Sequence, residues 1–160
     1  MMNLEKSQAI SIGNIDNVQH SAAMKNGAFV NLGVKAKDDV YTVSVPATAT
    51  LDTAEVLLVF SDESQYAEGT NISSFTNLAD IPTPAYHLTQ GDGWLIDIED
   101  IDDTEAVGVG KFLSPVNGTT VPTVTVAKVG TKNVIEIIEV DQVIGFGRNP
   151  AIRVAVRSYL

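Results

Sequence analysis

The chain has 160 residues, a length that fits one domain with a real hydrophobic core. Twenty acidic against ten basic side chains leave a net charge of −10, which argues against tracking a phosphate backbone or adhering to anionic lipid. With no cysteine there is no disulfide, no thiolate nucleophile and no Cys-ligated metal.

The first stretch, Met1 to Ser11, carries one Lys and no apolar run, so it does not read as a signal peptide. The polar segment 1–24, rich in Asn, Gln and Ser, is expected to be an extended N-terminal arm that orders on a partner. Residues 25–160 are expected to form the β-rich body. Asn26-Gly27 marks a turn, after which apolar residues alternate through Ala28, Val30 and Leu32, and again on the two faces of Val40 to Val45. Val56 to Phe60 is a short apolar run, far too short to span a bilayer.

In Asn71–Ala79, Ile72, Phe75 and Leu78 recur at threefold spacing, Ser73 or Asn71 offers a cap and Pro82 a stop. One short helix is expected there. Further strands are read at Trp94–Ile98, Val124–Val126, Val134–Val140 and Ile152–Val156, where β-branched residues dominate. The predicted class is therefore all-β, a sandwich or a barrel-like closure, with one short helix and the arm. Periodicity does not choose between the two closures.

The densest charge lies between Asp92 and Glu105, with seven carboxylates and no basic residue. Asp97, Glu99, Asp100, Asp102 and Asp103 form a weak calcium candidate. Calcium needs several oxygens converging on one point, and the order here lacks the central Gly and terminal Glu of an EF-hand loop. The plainer expectation is a solvated strand edge leading into an acidic loop, a charge pattern that also discourages edge pairing.

His20 and His87 are far apart and belong to no HExxH motif, so they do not form a zinc site. His87, in Ala85-Tyr86-His87-Leu88, reads as a strand residue with a satisfied hydrogen bond. No GxSxG elbow is present. Gly108-Val109-Gly110-Lys111 lacks the spacing of a phosphate loop, and Gly145-Phe146-Gly147-Arg148 is followed by Pro150. Both read as bends. No catalytic residue and no cofactor site are expected, and the chain is read as non-enzymatic.

From Lys128 onward five basic residues face three acidic ones. Arg153 and Arg157 share one face of a period-two strand, which reads as a plain charged strand face or, as the functional alternative, a basic face that docks on an acidic protein surface.

The succession Lys25-Asn26-Gly27-Ala28-Phe29-Val30-Asn31-Leu32-Gly33, Tyr41-Thr42-Val43 with Pro46-Ala47-Thr48, Val56 to Phe60, Glu63-Ser64-Gln65-Tyr66, Phe75-Thr76-Asn77 and Ala85 to Asp92 resembles a group of small proteins of tailed bacteriophages, the head decoration or cement proteins. The similarity covers about Lys25 to Ile98. The group usually carries a more charged turn where this chain has Val34-Lys35-Ala36-Lys37, and basic residues where it has Ile81-Pro82-Thr83-Pro84.

The resemblance implies a structural virion protein, made in the host cytoplasm and placed on the outer surface of an icosahedral capsid. There it would bridge capsomers of the major capsid protein as a homo-oligomer, a trimer before a dimer, with no nucleic-acid or membrane partner. Lys25, Asn26, Arg148, Arg153 and Arg157 are the candidate capsid-docking residues. The rival reading is a receptor- or carbohydrate-binding β-sandwich module of a phage fibre or cell-surface protein.

Overall fold

The structure is a computed structural model, and it describes residues 2–6, 15–47, 55–61, 75–102, 106–126, 133–141 and 150–159. These residues form eleven strands in two sheets. The all-β reading holds: one sheet closes into a barrel and the other is an open sheet packed against it.

One sheet is a closed five-stranded barrel. Its staves are β2 (Ile15–Gln19), β3 (Phe29–Lys37), β4 (Val40–Ser44), β5 (Leu57–Val59) and β6 (Thr83–His87), in the order β2-β4-β3-β5-β6. All seams are antiparallel except β2 with β4, where Asn17, Val18 and Gln19 lie opposite Val40, Tyr41 and Thr42 in parallel. The other sheet is open and antiparallel, in the order β1-β7-β11-β10-β8-β9. Its strands are β1 (Met2–Lys6), β7 (Gly93–Asp97), β8 (Phe112–Ser114), β9 (Thr123–Thr125), β10 (Asn133–Asp141) and β11 (Ala151–Tyr159).

Two cores follow from strand alternation. Val18, Val30, Val43, Leu57, Val59 and Ala85 fill the barrel. Phe29, Leu58 and Leu88 from the barrel side meet Trp94, Ile96, Ile137, Ile152 and Val154 from the open sheet. On β5 the alternation is visible within three residues: Leu57 and Val59 belong to the barrel interior and Leu58 to the layer between the sheets. A strand buried on both faces reads as a continuous apolar run, which is what Val56 to Phe60 is. Backbone bonds also tie the sheets together, with Phe29 N–H donating to the Thr120 carbonyl at 2.8 Å and Gly118 N–H to Pro46 at 2.9 Å.

Two expectations are corrected. Segment 1–24 is not an arm in its described parts, because β1 pairs with β7 and β2 is a barrel stave; residues 7–14 lie outside the described residues. The sparse apolar content of β2 hid it, since only Val18 of that strand is fully buried. The helix expected over 71–79 is also not found in its described part. Phe75 and Thr76 take no regular secondary structure, Asn77 forms an isolated bridge with Met24, and residues 71–74 lie outside the described residues. Among the described residues the helical turn is a 3-10 turn at Ile98–Asp100, directly after β7. Among the described residues no helix is long and apolar enough to cross a membrane.

The β3–β4 hairpin is irregular, with register shifts between Leu32 and Lys35 and between Lys35 and Lys37. The first bulge is held by Thr42, whose hydroxyl donates to the Val34 carbonyl at 3.1 Å and accepts from Val34 N–H at 3.2 Å. Glycine is required beside it: a Cβ on Gly33 would sit 2.7 Å from Thr42 Oγ1 and 2.8 Å from the Thr42 carbonyl oxygen.

Candidate functional site

The turn that carries Lys25 and Asn26 sends its two side chains to different places. Lys25 points outward, its Nζ donating to Asp100 Oδ1 at 2.5 Å, with the Lys25 side chain 54% exposed and Asp100 only 9%. Burial alone would push the Asp100 carboxyl up. The Lys25 hydrogen bond is among the causes that more than offset this and hold it below the usual carboxylate range. The pair borders a cavity of about 190 Å³ lined by Ala23, Ala28, Thr120 and Val121. The cavity lies where the β2–β3 turn, the 3-10 turn and the β8–β9 loop meet.

Asn26 is buried, and its amide is used inside the fold. Its Nδ2 donates to the Ser61 carbonyl at 2.9 Å, and its Oδ1 accepts from Ser61 N–H at 3.0 Å and from Asn77 Nδ2 at 3.1 Å. Asn77 Nδ2 also donates to the Met24 carbonyl at 3.1 Å, and Ser61 Oγ donates to Asn77 Oδ1 at 2.5 Å. An Asn-Gly pair reads as an exposed turn in the sequence. Here the side chain instead satisfies backbone groups that the turn brings indoors. As a docking residue Asn26 is corrected: no partner reaches it without opening this network.

The basic face is also changed. Arg153 NH1 donates to Glu139 Oε2, and Arg157 Nε donates to Glu136 Oε2 at 2.7 Å. β11 lies antiparallel to β10, so the cations of one strand stand opposite the acids of the other. The surface is charge-compensated rather than uniformly cationic. Arg148 lies outside the described residues.

The acidic run is dispersed by its structure. Asp92 caps its own turn, Oδ2 accepting from Thr89 N–H at 2.8 Å and from Thr89 Oγ1 at 3.1 Å. Asp97 is buried at the end of β7, Glu99 and Asp102 are exposed, and Asp100 is paired with Lys25. Asp103 and Glu105 lie outside the described residues. Among the described residues no three His, Asp or Glu side chains converge in a way that fits a metal ion. Calcium needs that convergence, and a strand followed by a tight turn sends successive carboxylates in different directions.

His20 is local, its Nδ1 lying 3.0 Å from the backbone N of Ala22. His87 lies between two carboxylates from other elements, Nε2 2.9 Å from Asp16 Oδ2 and Nδ1 2.8 Å from Glu55 Oε1. Sequence reading expected a satisfied strand histidine but not these partners, because 71 and 32 positions separate them from it.

Among the residues whose burial is described, the most exposed regular element is the distal part of the β3–β4 hairpin. From Leu32 to Asp39 every residue is exposed, and Val34 is 73% exposed. The tip turns through Asp38, which takes a left-handed φ of 51°, a conformation that Asp tolerates better than most residues. Lys35 Nζ pairs with Asp39 Oδ1 at 2.9 Å, which holds the Lys35 ammonium above its ordinary pKa.

No protein-family description, curated protein or solved structure matches the chain.

Proposed function

We propose that the chain is a non-enzymatic structural protein of a tailed-phage head, docked on the outside of the icosahedral capsid and bridging capsomers of the major capsid protein. The observation that carries this reading is the β3–β4 hairpin. A hairpin that is buried at Phe29 and Val30 and then exposes the eight residues from Leu32 to Asp39 extends past its own core. Such a ribbon gains burial only against another surface, and Val34 at its outer part is the apolar contact it offers.

The resemblance of the motif order from Lys25 to Ile98 supports the same reading, as does the net charge of −10, which favours solubility before assembly. A homo-oligomer, with a trimer favoured, would present the hairpin several times to a repeating lattice, so modest affinity at each contact suffices. Of the sequence-derived docking residues, Lys25 and Arg157 both remain about half exposed, and each, like Arg153, already holds an acidic partner.

Val34→Asp is the direct test. The substitution is solvent-exposed, so thermal stability is expected to stay within about 0.5 kcal/mol of the parent. Co-sedimentation with heads that lack the protein is expected to fall at least about tenfold, the equivalent of 1.4 kcal/mol. Undiminished co-sedimentation removes the hairpin from the interface. Failure of the parent chain to bind heads, or its absence from virions by mass spectrometry, overturns the proposal itself.

A further inference from the structure

His87 sits at the junction of two barrel seams. It closes β6, whose neighbours are β2 on one side and β5 on the other. Asp16 reaches its Nε2 from β2, and Glu55, two residues ahead of β5, reaches its Nδ1. The imidazole is only 14% exposed, while Asp16 and Glu55 are 28% and 36% exposed.

With both carboxylates ionised, the hydrogen-bonding inventory of these three groups favours one protonation state of the ring. An ionised carboxylate only accepts. A neutral imidazole has one N–H and one lone pair, so it can donate to one carboxylate while its bare nitrogen faces the oxygens of the other. Only the imidazolium, with two N–H groups, satisfies both contacts at once. The charged groups facing the ring are Asp16 from β2 and Glu55 from the β5 side. β5 itself sets apolar Leu57 opposite, and the neighbouring titratable group on β6 is Tyr86, whose ring packs edge-on against Phe60. Burial opposes the positive charge, and the hydrogen bonds to Asp16 and Glu55 outweigh it, so the His87 pKa stands above the ordinary 6.5.

We propose that His87 is a proton-operated latch on the barrel: protonated, it ties β2 and the lead-in to β5 to the same strand, and on losing its proton it releases one of the two carboxylates. Glu55, the more exposed partner, is the one released, since water replaces the lost contact there more easily. The latch acts on a seam that needs it. Its β2 stave is held only by short seams, four antiparallel residue pairs to β6 and three parallel pairs to β4.

The pH dependence has a definite sign. The folded state binds the proton more tightly than the unfolded chain, so the latch's contribution to stability is fully present below the unfolded value of about 6.5 and is lost as pH rises through the higher folded value.

Nitrogen-15 NMR of the two imidazole rings tests this on the intact chain. At about pH 6 the His87 ring is expected to show two protonated nitrogens. Its titration midpoint is expected to lie above that of an unstructured histidine and to drop in both Asp16→Asn and Glu55→Gln. The melting temperature of the parent is expected to fall on going from about pH 6 to about pH 9. The fall is expected to be shallower in Glu55→Gln, which removes one charge without shortening the side chain. A His87 midpoint at or below that of an unstructured histidine overturns the proposal, as does a midpoint that neither substitution moves. Should Asp16→Asn fail to fold, Glu55→Gln alone decides it, because its carboxylate is the more exposed of the two.

Discussion

The Trp94→Ala protein is expected to lose about 3–5 kcal/mol of stability, the largest effect foreseen for a single substitution in this chain. Trp94 is fully buried on β7, in the layer where the open sheet meets the barrel. It packs among Phe29 and Leu58 from one sheet and Ile152 and Val154 from the other, so alanine leaves a cavity that neither sheet can close without moving against its partner. A domain of ordinary stability holds only about 5–15 kcal/mol in all, so this variant is expected to be largely unfolded in moderate urea.

Trp94→Phe separates the packing loss from a second contribution. Among the described residues, the indole Nε1 is a buried polar atom with no hydrogen-bond partner. Phenylalanine keeps a ring in the layer and removes that stranded donor, whose burial costs about 1–3 kcal/mol. The Phe variant is therefore expected to retain most of the parent's stability. Urea titrations followed by far-UV circular dichroism measure both variants, since substituting the only Trp removes the fluorescence signal. A Phe variant as unstable as the Ala variant would show that the indole N–H does have a partner in solution.

The second large effect is expected at Asn26, where alanine costs about 2–4 kcal/mol. Removing the amide leaves the N–H and carbonyl of Ser61 without the side-chain partner they share, and it takes an acceptor from Asn77. All three side chains are buried, so water does not readily replace what is lost, and each stranded group costs about 1–3 kcal/mol. The same variant separates two roles. If Asn26 served capsid docking, Asn26→Ala would lower head binding at unchanged melting temperature. The buried network calls for the reverse, a lowered melting temperature by calorimetry, with head binding retained at temperatures where the variant is folded.

Much of the architecture could be read from local pattern. The strands at β7, β10 and β11 stand where β-branched residues alternate or run together, and these are the strands that build the layer between the sheets. Reading failed where local pattern and tertiary demand diverge. Phe75 and Leu78 look like neighbours on one helical face, yet Phe75 is buried and Leu78 is 60% exposed, while polar Asn77 between them is buried. That inside-out arrangement exists because Asn77 is needed by the Met24 carbonyl and by Asn26, a demand that comes from 51 and 53 positions away.

Among the proposed docking residues, Lys25 could be recognised from composition alone, because a lysine beside a turn is exposed almost anywhere. The neutralisation of Arg153 and Arg157 depends on which strand lies beside β11, and the Asp16–His87–Glu55 contacts depend on barrel closure. Neither strand neighbourhood is written in the spacing of apolar residues.

The order of strands sets a timetable for the nascent chain. Every stave of the barrel lies between Ile15 and His87, so its ring of seams has all its parts well before synthesis reaches β10. The open sheet is different: β11 stands between β7 and β10, so its two halves have no common strand until the last of the described strands emerges. The barrel is thus the part able to close first, and until β11 arrives it holds out Phe29, Leu58 and Leu88 with no sheet to cover them. Pulsed hydrogen exchange during refolding is expected to protect Val30 and Val59 ahead of Ile137 and Val154. The reverse order would mean that the open sheet nucleates the fold.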